Sequence, residues 1–151
     1  FDAHLIIAGN DMGAKSKALQ LAKGKNNIHF VGLLKGKERL ELLADADVLV
    51  YASTHEIFGL SPFEGLLCGA PAVVGDDCGC GQLISKAQAG LLVKHGDIED
   101  LQSKLQLIFE DPIAAKAMVQ RGRNYIKQNL LFSTVAKQHK DLYEEIINEQ
   151  R

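Results

Sequence analysis

Short runs of apolar residues alternate along the chain with segments in which apolar residues recur every three or four positions. The runs are typical of buried strands, and the spaced positions are typical of amphipathic helices. Five strands are predicted, at residues 4–8, 28–31, 48–51, 72–74 and 90–93. Helices are predicted between them, near residues 12–23, 37–45 and 62–68. The segments 79–90 and 129–133 allow no definite prediction.

This alternation predicts an α/β fold. Strands that are apolar throughout need cover on both faces, and strands that alternate with helices are joined by parallel crossovers. We therefore expect a Rossmann-like, doubly wound parallel sheet flanked by helices, with all five strands buried. Sheets of this kind bind ligands at the carboxyl ends of their strands.

Three amphipathic helices are predicted after the fifth strand. Asp97 is the expected N-cap of the first, and Pro112 is expected to open the second. The buried face of the second helix is expected at Ala115, Met118, Val119, Gly122 and Ile126. Ser133 or Thr134 is expected to cap the third. Its polar face mixes Lys with Glu, so we interpret it as a packing helix and not as a membrane anchor.

Length and charge limit the classes of protein to which this chain can belong. A chain of 151 residues fits one domain, and a formal net charge of -2 gives no basic surface for nucleic acid. No run approaches the ~20 apolar residues that a membrane span needs. Since the chain enters an apolar run directly after Phe1-Asp2, we expect residues 1–151 to be one domain cut from a longer protein at its N-terminal edge.

The cysteines and acidic pairs do not predict a metal site. Cys68, Cys78 and Cys80 cannot all pair with one another, and a closed zinc site needs four ligands, so we expect reduced thiols in a core or loop. Asp45-Ala46-Asp47 has the form of a metal-binding D-x-D. It lies between a predicted helix and a predicted strand, where polar residues are needed to end the helix. We expect no metal.

The chemistry is expected in the segment 53–71, between the third strand and the helix that follows. Gly59 would let a ligand approach the backbone, and the helix start offers free N–H groups and a positive dipole end for a phosphate. Glu56 and Glu64 lie on either side of that start. Carboxylates beside a phosphate site are suited to accept hydrogen bonds from hydroxyl groups, such as those of a ribose or a sugar.

These residues resemble a known family. Glu56-x7-Glu64, with Phe58-Gly59-Leu60 inside it and Gly69-x-Pro71 after it, is similar to the signature of the retaining glycosyltransferases of family 4, which have the GT-B fold. Further matches extend over nearly the whole chain, at Gly9, Phe30-x-Gly32, Ala46-Asp47-Val48, Asp77 with Gly79, and Gly90-Leu91-Leu92-Val93. An isolated E-x7-E is a weak signal, whereas the ordered set is specific.

The resemblance implies a role for each matched residue. Glu56 would contact hydroxyls of the donor sugar and act in catalysis, and Glu64 would accept hydrogen bonds from the ribose. The backbone amides of Phe58, Gly59 and Leu60 would hold the distal phosphate. Gly32 and Leu33 would lie beside the base, and Gly9 would begin a loop at the mouth of the site.

The implied reaction moves a sugar from a nucleotide diphosphate sugar to an acceptor hydroxyl with retention. The nucleotide sugar is a substrate, and no cofactor is expected. The acceptor, a sugar or a lipid-linked sugar, would bind an N-terminal domain that this chain lacks, so we expect the chain alone to be inactive. We expect a cytoplasmic parent enzyme in polysaccharide or glycolipid synthesis, with peripheral association at the cytoplasmic face of the membrane as an open alternative.

Other interpretations stay open at this point. Ser61-x-x-Glu64 also fits a capping box, in which Glu64 only caps its own helix, and Glu56 could be a solvated loop acid. His55 is interpreted as a loop histidine with no chemical role. Cys78-Gly79-Cys80-Gly81 departs from the usual form of its loop. The alternative functions are a GT-B epimerase or phosphorylase-like enzyme, or a non-catalytic nucleotide-binding domain.

Overall fold

The computed structural model describes residues 2–53 and 56–149, in two compact units that cover residues 1–41 and 42–151. The first unit contains the strands β1 (Leu5–Ala8) and β2 (Ile28–Gly32) and the helix α1 (Lys15–Ala22). The helix α2 (Gly36–Asp45) begins in the first unit and ends in the second. The elements of the second unit are then β3 (Leu49–Tyr51), α3 (Ser61–Cys68), β4 (Ala72–Gly75), α4 (Gly79–Lys86), β5 (Gly90–Val93), α5 (Ile98–Glu110), α6 (Pro112–Asn129) and α7 (Phe132–Glu149).

The predicted α/β class is confirmed, with each predicted strand within one residue of its span. In the described residues the strands pair as two parallel sheets, β1-β2 in the first unit and β3-β4-β5 in the second. Parallel neighbours need a crossover between them, and helices supply those crossovers here. The carboxyl ends of β3, β4 and β5 therefore lie along one edge of their sheet.

The second unit is built around β4, which is buried at every position. Ala72 and Val74 belong to a core cluster with residues of α3, α4 and α6, whereas Val73 lies in a second cluster with residues of α5 and α6. Because successive side chains of a strand point to opposite faces, the two clusters cover opposite faces of the sheet. The expected cover of both faces is thus found at this central strand.

Helices α5 and α6 follow the sequence closely. Asp97 is the N-cap of α5, and its side chain accepts a hydrogen bond of 2.9 Å from the Asp100 N–H, as predicted. Asp111 caps α6 in the same way, 2.9 Å from the Ala114 N–H, with Pro112 at the first turn. The predicted face of α6 is buried at Ala115, Met118, Val119, Gly122 and Ile126.

Arg123, which the sequence pattern did not single out, ties α6 to the end of α3. Its Nε donates to the Leu66 carbonyl and its Nη2 to the Leu67 carbonyl, both at 3.0 Å. The last carbonyls of a helix have no partner within that helix, so this guanidinium satisfies two of them. At the preceding residue of α6, a Cβ at Gly122 would lie 2.7 Å from Leu66 Cδ1, so a larger residue there would force the buried Leu66 side chain to shift.

The expected burial of the first strand is wrong. β1 is exposed at each of its residues, with Leu5 50% and Ile6 38% accessible. Within the first unit β1 pairs only with β2, and α1 buries none of its residues. An apolar run thus identified a strand correctly but did not show how much of it would be covered.

Helix α7 also differs from its prediction. It begins at Phe132, so Ser133 and Thr134 lie inside its first turn and neither is the N-cap. No described residue of α7 is buried, and its apolar side chains Leu142 and Ile147 are 50% and 55% exposed. The packing role of this helix stays a prediction. Across the described part of the chain, no helix combines the length and apolarity that a membrane crossing requires.

Candidate functional site

The predicted site lies where β3 ends and α3 begins. Tyr51 is the last residue of β3, and its hydroxyl donates a hydrogen bond of 2.7 Å to Oε2 of Glu56. Both residues are half-buried. Glu56 is thus held in place by a defined partner, which a freely solvated loop acid would lack. Thr54 and His55, between these residues, lie outside the described part of the chain.

The next residues of the loop fix its path onto α3. The ring of Phe58 stacks on that of Phe63, with centroids 5.4 Å apart and planes 12° from parallel. Gly59 is buried against Tyr51, and a Cβ at this position would lie 2.5 Å from the Tyr51 hydroxyl oxygen. Leu60 is 65% exposed and is the N-cap residue of α3. Gly59 is therefore required by close packing beneath the loop, in addition to any ligand above it.

Glu64 lies in the first turn of α3 and is half-buried. The capping-box interpretation is wrong, because the helix begins at Ser61 and its N-cap is Leu60, so Ser61 is not in the cap position. The first turn of this helix also contains Pro62, which has no N–H to donate. The helix ends as predicted at Gly69, whose φ of 117° is in the left-handed region.

A second turn, between β4 and α4, packs against this loop. A Cβ at Gly79 would collide with the backbone carbonyl oxygen of Ile57. Cys78 is the N-cap of α4, with its sulfur accepting from the Gly81 N–H at 3.4 Å and donating to the Gly75 carbonyl at 3.1 Å. The sequence pattern does not predict α4, because the first residues of this helix are small and its cap is a cysteine.

The two buried thiols of this turn contact each other, with Cys78 Sγ 3.2 Å from Cys80 Sγ. Burial raises the pKa of Cys80 from 9.0 to about 11, and the hydrogen bond with Cys78 adds to the rise. Burial and the bond to Glu56 likewise raise the pKa of Tyr51 from 10.0 to about 12. Both groups are therefore neutral at physiological pH, and the expected reduced core cysteines are found at these positions.

The raised pKa values predict a loss of stability at alkaline pH. In the unfolded chain the thiol and the phenol ionise near pH 9.0 and 10.0, whereas in the folded chain they stay protonated up to about 11 and 12. Since the folded state then binds more protons, the free energy of unfolding falls as the pH rises through that window and is unaffected below it. Urea titrations between pH 7 and 11 check this, and Tyr51→Phe should give a shallower fall. An equal slope in that variant would contradict the assignment.

The first unit contains the other predicted site residues. Gly9 directly follows β1 and Gly32 is the last residue of β2, and the Gly9 N–H donates to the Gly32 carbonyl at 2.8 Å. Both line a cavity of about 200 Å³, whereas Leu33 is 49% exposed and does not line it. The assignment of these three residues to the mouth of the site and to the base stays a prediction.

Asp11 in the same cavity limits what the start of α1 can bind. Its Oδ1 accepts from the backbone N–H groups of Gly13 at 2.8 Å and of Lys15 at 3.3 Å. The bond from Gly13, followed by that from Lys15, lowers the pKa of Asp11. A carboxylate of this chain thus lies at the helix N-terminus, where a phosphate would otherwise be attracted.

The D-x-D segment lies where the sequence placed it, with Asp45 at the end of α2 and β3 beginning at Leu49. Within residues 2–53 and 56–149, no three His, Cys, Asp or Glu side chains are grouped as metal ligands would be. Among the sequence-predicted residues, Glu56, Phe58, Gly59, Leu60 and Glu64 form one continuous feature, a loop and the first turn of its helix, in the second unit.

The sequence of this chain is similar to the sequences of known proteins. The family model described as glycosyl transferases group 1 matches residues 2–125. A curated relative, the N,N'-diacetylbacillosaminyl-diphospho-undecaprenol alpha-1,3-N-acetylgalactosaminyltransferase of Campylobacter jejuni, is 28% identical over 145 residues, which is 95% of this chain and 37% of that protein. The chain therefore spans well under half the length of this relative.

Solved structures show the same fold. Sucrose-phosphate synthase from Thermosynechococcus elongatus superimposes with a TM-score of 0.80 at 24% identity, over 97% of this chain and 39% of that one. HepE from Anabaena, solved in complex with UDP, superimposes with a TM-score of 0.81 at 20% identity, over 95% of this chain and 41% of that one. The same Anabaena protein has also been solved with UDP-glucose. The fold is thus one half of a GT-B architecture.

Proposed function

Since this chain belongs to the glycosyl transferases group 1 family, we propose that it is the donor-binding domain of a retaining glycosyltransferase of family 4. The observation that carries the proposal is the segment from Glu56 to Glu64. A carboxylate held by Tyr51, a buried glycine and a helix N-terminus follow one another at the carboxyl edge of a parallel sheet. This is the edge at which sheets of this class bind their ligands.

Each part of the segment suits one part of a nucleotide diphosphate sugar. The backbone amides of Phe58, Gly59 and Leu60 precede the helix and face the charge of the distal phosphate, where the positive end of α3 adds to the attraction. Glu56 accepts hydrogen bonds from hydroxyls of the sugar, and Glu64 accepts them from the ribose. Anomeric configuration is retained in the proposed reaction, which transfers a hexosyl group to an acceptor hydroxyl.

In the proposed reaction these residues position the donor and stabilise the charge that develops on the diphosphate. When the sugar leaves, negative charge grows on the diphosphate, and donors already oriented toward it lower the barrier without further reorganisation. A separate side-chain nucleophile is not needed for this contribution. The acceptor, a sugar or lipid-linked sugar, would be bound by parts of the protein beyond these residues, since the relatives are much longer than the chain.

A panel of donors tests the proposal directly. Ligand-observed NMR with UDP-glucose, UDP-N-acetylglucosamine, GDP-mannose and ADP-glucose, each beside its free nucleoside diphosphate, is expected to show binding that depends on the sugar. Binding of the free nucleotides with no dependence on the sugar would instead indicate a non-catalytic module. In a turnover assay of the full-length protein, epimerised sugar or sugar phosphate among the products would indicate the epimerase or phosphorylase-like alternative.

Replacing Glu64 with Gln is expected to weaken binding of the nucleoside diphosphate about tenfold. Hydrogen bonds to a charged group are worth roughly 1.5–3 kcal/mol against about 1 kcal/mol between neutral groups, and about 1.4 kcal/mol is one decade of affinity. Calorimetric titration of Glu64→Gln measures the loss, and a thermal melt measures stability.

Glu99→Gln is the matched control, because Glu99 is an exposed acid in the first turn of another helix, α5. Each variant loses a favourable charge near a helix N-terminus, worth about 0.3–1 kcal/mol, so Glu99→Gln shows how much the loss of that charge alone changes the melt. Only Glu64→Gln should lose affinity. Unchanged affinity together with a lowered melt in Glu64→Gln would show that Glu64 serves the helix and not the donor.

A further inference from the structure

Tyr51 contacts Glu56 and Gly59 of the predicted donor loop and is itself held by the sheet. It pairs with Val74 in the parallel ladder between β3 and β4, and its side chain packs against the core cluster that includes Phe63 and Cys80. The backbone and the ring of Tyr51 are therefore held by elements that do not belong to the loop. A side chain held in this way can fix the positions of the loop residues that it contacts.

The same side chain contacts the loop at two points. Its hydroxyl donates to Glu56 Oε2 at 2.7 Å. Its outer edge lies so close to Gly59 that a Cβ there would be 2.6 Å from both Cε1 and Cζ of the ring. Glu56 is predicted to bind the sugar of the donor, and Gly59 is predicted to bind its phosphate. Tyr51 therefore contacts one residue for each part of the donor.

We propose that Tyr51 is a positioning residue, which sets the orientation of the Glu56 carboxylate and its separation from the Gly59 backbone so that sugar and phosphate are bound in one geometry. This inference rests on the proposed function. The hydrogen bond uses one acceptor site on Oε2 of Glu56, and a carboxylate has further acceptor sites for a sugar hydroxyl. The ring supports Gly59 independently of the hydroxyl.

The two contacts can be separated by substitution. Tyr51→Phe keeps the ring beneath Gly59 and removes only the hydroxyl that holds Glu56. Nucleoside diphosphate affinity should therefore be kept. Affinity for the nucleotide sugar should fall about tenfold, because a carboxylate that is no longer held must lose conformational freedom when it binds. A tyrosine with only a structural role would change stability, or would change both affinities equally.

Three ligand pairs are first compared on the unmodified chain: UDP with UDP-glucose, GDP with GDP-mannose, and ADP with ADP-glucose. For the pair that binds best, calorimetry then measures the dissociation constants of the nucleoside diphosphate and of the nucleotide sugar. The ratio of the two constants is compared in the unmodified chain, Tyr51→Phe, Glu56→Gln and the double variant. Tyr143→Phe is the matched control, since Tyr143 is 60% exposed on α7. We expect the ratio to change about tenfold in both single variants, by no more in the double variant, and not at all in the control.

The outcomes distinguish a failure of the Tyr51 role from a failure of the proposed function. A changed ratio in Glu56→Gln with an unchanged ratio in Tyr51→Phe overturns the role of Tyr51 and leaves the proposed function intact. Losses that add in the double variant also overturn it, since the hydroxyl would then act without Glu56. Failure of the unmodified chain to bind any nucleotide of the three pairs overturns the proposed function and this inference with it.

Discussion

Replacing Gly79 with Ala is expected to weaken donor binding about 100-fold. The added methyl group would meet the backbone carbonyl oxygen of Ile57, which cannot rotate away as a flexible side chain could. The loop that contains Glu56 and Gly59 would have to move, and the hundredfold loss of rate that a misplacement of about 1 Å can cause gives the scale of the expected loss of affinity. Titration of Gly79→Ala with the preferred nucleotide sugar checks this.

Gly90→Ala is the matched control for that prediction. A Cβ at Gly90 would also meet a backbone carbonyl oxygen, that of Ala72, at 2.5 Å. Gly90 and Ala72 are paired at the beginning of their strands, at the edge of the sheet opposite the loop. Both variants should lose stability by about 1–3 kcal/mol, as overpacked sites do. Only Gly79→Ala should lose donor affinity, and equal affinities in the two folded variants would refute loop placement by Gly79.

Replacing Leu66 with Ala is expected to lower the free energy of unfolding by about 3–4 kcal/mol. Leu66 is 1% exposed and lies in the core cluster between α3, β4 and α6, where Gly122 approaches it closely. Truncation removes apolar burial and leaves a cavity that α6 can close only in part. Urea denaturation measures the loss, with an unchanged dependence on denaturant if the folded state is otherwise kept.

The neighbouring residue provides the control for this variant. Leu67 follows Leu66 on the same helix but is 47% exposed. Leu67→Ala therefore makes the same change of residue type in α3 as Leu66→Ala does, without leaving a cavity in the core. Its expected effect is below about 1 kcal/mol. Similar losses in the two variants would mean that α3 is not held by the core cluster in the way described.

The sequence determined the positions of most strands and helices, because interactions between residues close together in the chain govern where these elements begin and end. The apolar runs located β4 and β5 to within a residue, and Asp97 and Pro112 marked helix starts through the hydrogen-bonding needs of a first turn. The buried face of α6 followed from the helical period alone. The spacing of Glu56 and Glu64 about Gly59 likewise identified the candidate segment, since ligand chemistry and chain geometry limit which residues can occur there together.

Only the tertiary structure decided how those elements are covered and supported. The apolar runs of β1 and β4 are alike in sequence, yet β1 is exposed and β4 is buried, because burial depends on what packs against a strand. Tyr51 beneath Glu56, Gly79 against Ile57 and Arg123 at the end of α3 are contacts between residues distant along the chain or across a turn. Periodicity describes one element at a time, so it cannot reveal contacts that exist only after the elements have packed together.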